Sequence, residues 1–325
     1  MINHQKPTSF MPEHASKNPI LVVVGPTAIG KSDFALSIAK RFKGEIVNGD
    51  SRQIYRSMGI GTGAPSKEQM QKVPHHLYGI MMPDQEFNLP QYIKTAKGVI
   101  DGIHARGNLP VLVGGTGQYI WGLLENWKSP EVEPDQYIRK KLTDQAQTLG
   151  PQQVHEILQK VDPVSAQRID PRNVRRVIRA LEVFYKTGVP FSKSHGRGKE
   201  TYANMIIGLT TSRKQLYRLI ELRIESMLAS GWIDEVRQLL ANNYSTKLSS
   251  FSSIGFREIA AWLEEQTPIE QLIEQIAISQ HRLVRNQYTW FKLDDPRITW
   301  IRTDQEFLIP PTRSIKSFLS TFHAG

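Results

Sequence analysis

The segment Gly25-Pro-Thr-Ala-Ile-Gly-Lys-Ser32 constrains this chain more than any other. It satisfies the pattern G-x-x-x-x-G-K-[ST] at every fixed position. The apolar run Ile20-Leu-Val-Val-Val24 precedes it and reads as a buried strand. Phe34, Ala35, Ile38 and Phe42 follow at helical spacing. A strand, a glycine-bearing turn and a helix N-terminus together gather backbone N–H groups around an anion. Lys31 adds a full positive charge, and Ser32 offers a hydroxyl to a phosphate-bound Mg2+. Gly25, Pro26, Thr27, Ala28, Ile29, Gly30, Lys31 and Ser32 are therefore the candidate phosphate-binding residues. The motif does not say whose phosphate it holds.

The same pattern predicts an α/β fold with a parallel sheet flanked by helices. Glu45-Ile-Val-Asn48 reads as a second strand, and Asp50 follows it. In an open α/β sheet, ligands sit beyond the carboxyl ends of the strands. Asp50 is thus expected to face the crevice of the phosphate loop; its alternative role is to cap a turn or helix. Residues 56–90 read as an irregular, Gly- and Pro-rich stretch, in which the adjacent histidines His75 and His76 do not suit a metal site. Pro110-Val-Leu-Val113 is a third strand. It ends in Gly114-Gly-Thr-Gly117 instead of the Asp that ATPases and GTPases usually place there. Those glycines admit two readings, a close approach by substrate or a tight strand-to-helix turn.

Between 129 and 200 the predicted strands disappear. Helical stretches at 135–149, 151–160 and 171–187 form what reads as an all-helical insertion, and a strand returns at 205–209. The expected organisation is a tail at 1–19, a core made of 20–128 and 201–325, and the insertion at 129–200. Within the insertion, Arg172, Arg175, Arg176 and Arg179 repeat at helical spacing. Val174, Val177, Ile178 and Leu181 repeat two residues away, about 200° around a helix. One face is apolar and the opposite one is a ridge of guanidinium groups. Residues 168–199 hold nine Lys/Arg and two Asp/Glu, and the whole chain carries a formal charge of +10. Such a single-sign ridge points to phosphates or nucleobases.

Composition removes several classes. With no cysteine among 325 residues, disulfides, zinc–thiolate sites and cysteine nucleophiles are excluded. Residues 1–19 lack the apolar segment of a secretory signal, and no apolar run approaches a membrane span. A cytoplasmic, monomeric protein is the expectation. On residues alone, a small-molecule kinase and a nucleotide-switched RNA-binding protein both remain open.

Several stretches, in order, resemble one family. They are the 25–32 loop, Asp50-Ser-Arg-Gln-Ile-Tyr55, Ile60-Gly-Thr62, Pro74-His-His-Leu77, Val113-Gly-Gly-Thr-Gly117, Arg179-Ala-Leu-Glu182, Gly255-Phe-Arg-Glu258 and Gln287-Tyr-Thr-Trp-Phe291. The likeness runs from about residue 20 to 301 and is to the bacterial tRNA dimethylallyltransferases, isopentenyltransferases that modify adenosine 37 beside the anticodon. A related family acts on free adenylate and should not need the Arg-rich insertion. The resemblance implies a P-loop kinase-like core and a helical insertion that grips the anticodon stem-loop. It implies dimethylallyl diphosphate as donor and Mg2+ as cofactor. In that chemistry Asp50 suits the general base, with Thr27 able to orient it, and Lys31 and Arg223 suit charge stabilisation. Thr116 and Arg139 are further active-site or tRNA-contacting residues by the same likeness. Ser51, Arg52 and Gln53 join Asp50 as expected tRNA contacts, as do Arg175, Arg176, Arg179 and the stretch Ser252, Ser253, Ile254, Gly255, Phe256 and Arg257. The chain departs from the family at Ile29, Gln118, Leu219 and Phe256, and lacks a Lys usual near Ala64.

Overall fold

The structure is a computed structural model that describes residues 18–128, 130, 132–194, 196–265, 267–304 and 311–322. It divides into two compact units. One comprises residues 1–124 and 200–325, and the other residues 125–199.

The first unit is built on a parallel six-stranded sheet in the order β3-β2-β4-β1-β7-β8. Its strands are β1 (Pro19–Val24), β2 (Gly44–Asn48), β3 (His75–His76), β4 (Leu109–Val113), β7 (Ala203–Thr210) and β8 (Ile298–Arg302). The central strands are apolar runs because helices cover both faces. Every residue of β2 and β4 is buried, as is β1 from Ile20 onward. Leu21 pairs with Val111 on one side and Met205 on the other. From β1 the chain first builds outward on one side, to β2 and β3. It then returns to β4 and finally crosses to β7 and β8. The carboxyl end of β1 therefore lies where the winding reverses, the usual position of a ligand crevice.

The helices of this unit are α1 (Lys31–Arg41), α2 (Gly59–Thr62), α3 (Lys67–Lys72), α4 (Leu89–Ala105) and α5 (Gly117–Leu124). The remaining strands and helices before Lys199, β5 (Trp127–Lys128), α6 (Gln136–Leu149), α7 (Pro151–Val161), α8 (Pro163–Arg168), α9 (Val174–Thr187), α10 (Phe191–Ser194) and β6 (Gly196–Arg197), form the second unit. The first unit resumes with α11 (Arg213–Ala229), α12 (Trp232–Ala241), α13 (Phe256–Glu265), α14 (Ile269–Trp290) and α15 (Thr312–Ser320).

Three expectations change. Pro19 belongs to β1 and not to a tail, pairing with Ala203, and the Asn18 carbonyl accepts from the Ala203 N–H; residues 1–17 lie outside the described ones. A proline at the first position of a strand sacrifices no interior ladder bond. The irregular stretch at 56–90 contains α2, α3 and the edge strand β3. His76 in β3 sits 2.6 Å from the carboxylate of buried Glu45, which also takes hydrogen bonds from Arg106 and Asn108. Those bonds, Arg106 first, hold the Glu45 carboxyl down at about 2 against the opposing effect of burial. His75 Nδ1 lies 2.8 Å from the Val73 carbonyl, so both histidines are engaged by the protein itself. Finally, the inserted unit is not all-helical, because β5 and β6 pair antiparallel. Two-residue strands leave no periodic signal in a sequence.

In that second unit Leu142, Val154, Leu158, Val177, Ile178 and Leu181 form one core. Glu182, also buried, lies beside it. Burial raises its carboxyl, but hydrogen bonds from Arg139, the Asp135 N–H and Arg179 outweigh that and hold it low.

Candidate active site

The loop between β1 and α1 is shaped by three unusual backbone positions. Gly25 has φ 143°, and a Cβ there would lie 2.5 Å from the Leu209 carbonyl oxygen of β7. Gly30 has φ 91°, and Ala28 has φ 64°. The left-handed region costs an L-residue about 1–2 kcal/mol, so Ala28 carries strain at a ligand site. Such reversals of hand turn successive N–H groups toward one concavity. Gly30 caps α1 without a side-chain hydrogen bond, which leaves the first-turn amides to the cavity. Lys31 Nζ donates to the Pro26 carbonyl at 2.7 Å. Burial pulls the Lys31 ammonium down to about 8, Asp50 opposes the shift and Arg223 adds to it. An arriving phosphate would supply the negative charge that this lysine lacks.

Asp50 is held by Asn48, a fully buried side chain at the end of β2. Asn48 Nδ2 donates to the carbonyls of Asp50 and Leu77, and Asn48 Oδ1 accepts from the Asp50 N–H at 2.8 Å. One carboxylate oxygen of Asp50 accepts from the Arg52 N–H at 2.8 Å. The other faces the turn after β4, 3.7 Å from where a Cβ on Gly115 would stand. Asp50 thus closes a turn and presents an oxygen beside the cavity; the two roles weighed from the sequence coexist.

The turns after β2 and β4 are tied together. Gly49 N–H donates to the Val113 carbonyl at 2.7 Å, and Ser51 N–H donates to Thr116 Oγ1 at 3.0 Å. A side chain at Gly114 would overlap the Gly49 backbone, one at Gly115 the Gln287 carboxamide, and one at Gly117 the Trp290 indole. Protein packs against each of these glycines, as the tight strand-to-helix turn expects.

The cavity has a volume of about 910 Å³, within the range of small-molecule sites. Its far wall is the segment around α2. Glu235 on α12 accepts from the N–H groups of Ile60 and Gly61 at 2.8 and 2.9 Å. Gln53 Nε2 donates to the Thr62 and Gly63 carbonyls. The guanidinium of Arg223 fills the space left by the missing side chain of Gly63.

The structure gathers many of the sequence-predicted residues here. Thr27, Ala28, Ile29, Gly30, Lys31, Ser32, Asp50, Arg52, Gln53, Arg223, Ser252, Ser253 and Ile254 all line the cavity. Others have different occupations. The Thr116 hydroxyl is engaged with Ser51. Gly255 has φ 95° and lies against Trp232, Phe256 is fully buried, and Arg257 donates to the carbonyls of Thr246 and Leu248. Gly255 and Phe256 are therefore packed into the protein interior. In the second unit Arg175 and Arg176 are exposed, whereas Arg139 and Arg179 grip Glu182. Asn48, Glu235 and Gln287 were not foreseen as site residues. Asn48 ends a strand just before Asp50 and is the one with a local signal. Among the described residues, no group of three or more His, Cys, Asp or Glu side chains could hold a metal alone, and no helix is long and apolar enough to cross a membrane.

A glycine-turned loop opening into a helix N-terminus, at the carboxyl end of a parallel sheet, defines a P-loop α/β protein with a carboxylate on the neighbouring turn. Similarity to known proteins specifies which kind. The pattern of the family described as IPP transferase matches residues 53–294, and that described as isopentenyl transferase matches 18–78. A tRNA dimethylallyltransferase of Dehalococcoides mccartyi is 41% identical over 302 residues, covering 93% of each chain. The crystal structure of the full-length tRNA isopentenylpyrophosphate transferase from Bacillus halodurans matches with TM-score 0.70 and 34% identity, covering 94% of this chain and 98% of the other. A eukaryotic dimethylallyltransferase acting on tRNA matches with TM-score 0.77 and 25% identity, over 93% of this chain and 80% of the other. This chain belongs to the tRNA dimethylallyltransferase family.

Proposed function

We propose that the protein transfers the dimethylallyl group of dimethylallyl diphosphate to N6 of adenosine 37 in a tRNA anticodon stem-loop. The observation that carries this reading is that Asp50, Lys31 and Arg223 line one cavity with the phosphate loop. Adenine N6 is a weak nucleophile because its lone pair is delocalised into the ring. In the transfer, N6 forms a bond to C1 of the allyl group while the C1–oxygen bond breaks. The N6 proton passes to the Asp50 carboxylate, and the electron pair of the broken bond leaves with pyrophosphate. The loop amides, Lys31 and Arg223 stabilise the charge that grows on that leaving group. Buried Asn48 keeps the Asp50 turn fixed during the step.

The donor set also fits Mg2+. Ser32 is exposed on the first turn of α1 and lines the cavity, and a small hard cation commonly takes one or two protein oxygens plus those of a phosphate. Bound so, the ion would neutralise charge on the diphosphate. A base within an anticodon loop must be swung out of its stack before it can be alkylated. Arg52, Gln53 and the Ser252–Ile254 stretch line the cavity where such a base would enter. Arg175 and Arg176, exposed on α9, are suited to the RNA phosphates.

The test is direct. Unmodified tRNA incubated with the protein, Mg2+ and dimethylallyl diphosphate should yield one dimethylallyl-adenosine, located by nucleoside mass spectrometry, with stoichiometric pyrophosphate. Unmodified adenosine 37 after full incubation, or modification of free adenylate in its place, would overturn the reading.

A further inference from the structure

We propose that Gln287 is a positioning residue that sets the phosphate loop against the turn beside Asp50. Gln287 lies on α14, far in sequence from the loop, and is 5% exposed. Its Oε1 accepts from the Thr27 N–H at 2.9 Å, and its Nε2 donates to the Gly115 carbonyl at 3.2 Å. A carboxamide carries an acceptor and a donor in one plane, which lets a single side chain bridge an amide and a carbonyl. Gly115 is the complement of this bridge, since a Cβ there would overlap Nε2.

The end of α14 is fixed at several further points. The Trp290 indole covers Gly117, its carbonyl accepts from Trp121 Nε1 at 3.0 Å, and the Tyr288 hydroxyl lies 2.9 Å from Thr210 Oγ1 at the end of β7. Gln287 therefore projects from a clamped base. Two consequences follow for the site. The Thr27 N–H is directed to Gln287, so anion binding falls to the amides after it. Gln287 Nε2 and an Asp50 oxygen both lie beside Gly115, so the same bridge sets the spacing between the leaving-group cradle and the carboxylate. Displacement of reacting groups by about 1 Å costs about 10²-fold in rate.

The test uses Gln287→Met, Gln287→Ala, Gly115→Ala and the Gln287→Ala/Gly115→Ala pair in the full chain. Melting temperature, pyrophosphate affinity by calorimetry, and kcat and KM for tRNA are measured on each. Gln287→Met should lower kcat about 10- to 100-fold and weaken pyrophosphate, with KM for tRNA unchanged. Gly115→Ala should do the same by displacing the carboxamide. In the pair, the added alanine should cost nothing beyond Gln287→Ala, because the group it displaces is already gone. Additive penalties, or parental kcat and pyrophosphate affinity in either Gln287→Met or Gly115→Ala, would overturn the proposal. A purely structural role would lower the melting temperature and leave kcat intact well below it. If Gln287→Met does not fold, Gly115→Ala carries the decision. The inference rests on the transfer reading for its turnover measurements alone; pyrophosphate affinity answers the same question if transfer itself is not observed.

Discussion

On the proposed transfer, Asp50 would serve structure and chemistry with one side chain. Its Oδ1 accepts from the Arg52 N–H, and its other oxygen faces the Gly115 turn. Removing the whole carboxylate therefore confounds the two roles. Asp50→Asn separates them, because the carboxamide oxygen can still accept from Arg52 while basicity is lost. General-base catalysis contributes about 10²–10⁴-fold, so the single-turnover rate of Asp50→Asn should fall by that order while its melting temperature stays near the parent's. Asp50→Ala should lose the same rate and, in addition, about 1 kcal/mol of stability from the missing turn bond. Both quantities can be read from one preparation of each variant. An Asp50→Asn protein with parental turnover would remove Asp50 from the proton transfer.

Among the elements, α9 repays the closest comparison of pattern and structure. Its apolar and basic faces lie where the periodicity places them, with Val177, Ile178 and Leu181 in the core and Arg175 and Arg176 exposed. Arg179 departs from the ridge because Glu182, one turn on, is fully buried and draws both Arg179 and Arg139 inward. Arg172 precedes the helix and pairs with Asp170. The ridge is therefore divided into exposed and ion-paired arginines. Arg175→Ala with Arg176→Ala should weaken tRNA binding and make its salt dependence shallower, by about one in the log–log slope for each phosphate that is no longer neutralised. Stability and pyrophosphate affinity should hold. Arg179→Ala should instead cost about 1.5–3 kcal/mol of stability, the range for a hydrogen bond to a buried charge. Filter binding at several salt concentrations and thermal melts distinguish the pairs; unchanged tRNA affinity in the first would make the exposed arginines a solvated face. This contrast marks what was legible in the sequence. The phosphate loop, the larger strands and the amphipathic helices carry local periodicity or glycine signals. Glu182 pairs with distant Arg139 as well as neighbouring Arg179, Glu235 and Gln287 are placed by partners distant in sequence, and nothing beside Gln287 indicates that Thr27 lies 260 positions away in its hydrogen bond. The small residues at 114–117 were legible as a constraint, but the protein groups that impose it were not.

At the scale of the whole molecule, strand order decides what the phosphate loop can do. The loop leaves β1, whose neighbours in the sheet are β4 and β7. An ATPase of this architecture usually draws a metal-holding Asp from a later strand. Here β4 runs into Gly114 and Gly115, where added side chains would meet the Gly49 backbone and the Gln287 carboxamide. The Thr210 hydroxyl at the end of β7 pairs with Tyr288. Neither neighbour delivers a carboxylate to the loop. The acid comes from one strand farther out, on the turn after β2, and Asn48 fixes it there. That position suits a group that takes a proton from an incoming amine while the loop holds the departing diphosphate. The loop should therefore bind pyrophosphate without powering hydrolysis of ATP. Protein incubated with ATP, Mg2+ and tRNA should release inorganic phosphate no faster than the buffer blank. The same preparation given dimethylallyl diphosphate and tRNA should release pyrophosphate. Robust ATP hydrolysis stimulated by tRNA would mean that the loop is an energy-coupling device, and that the carboxylate on the turn after β2 serves a metal instead of the amine.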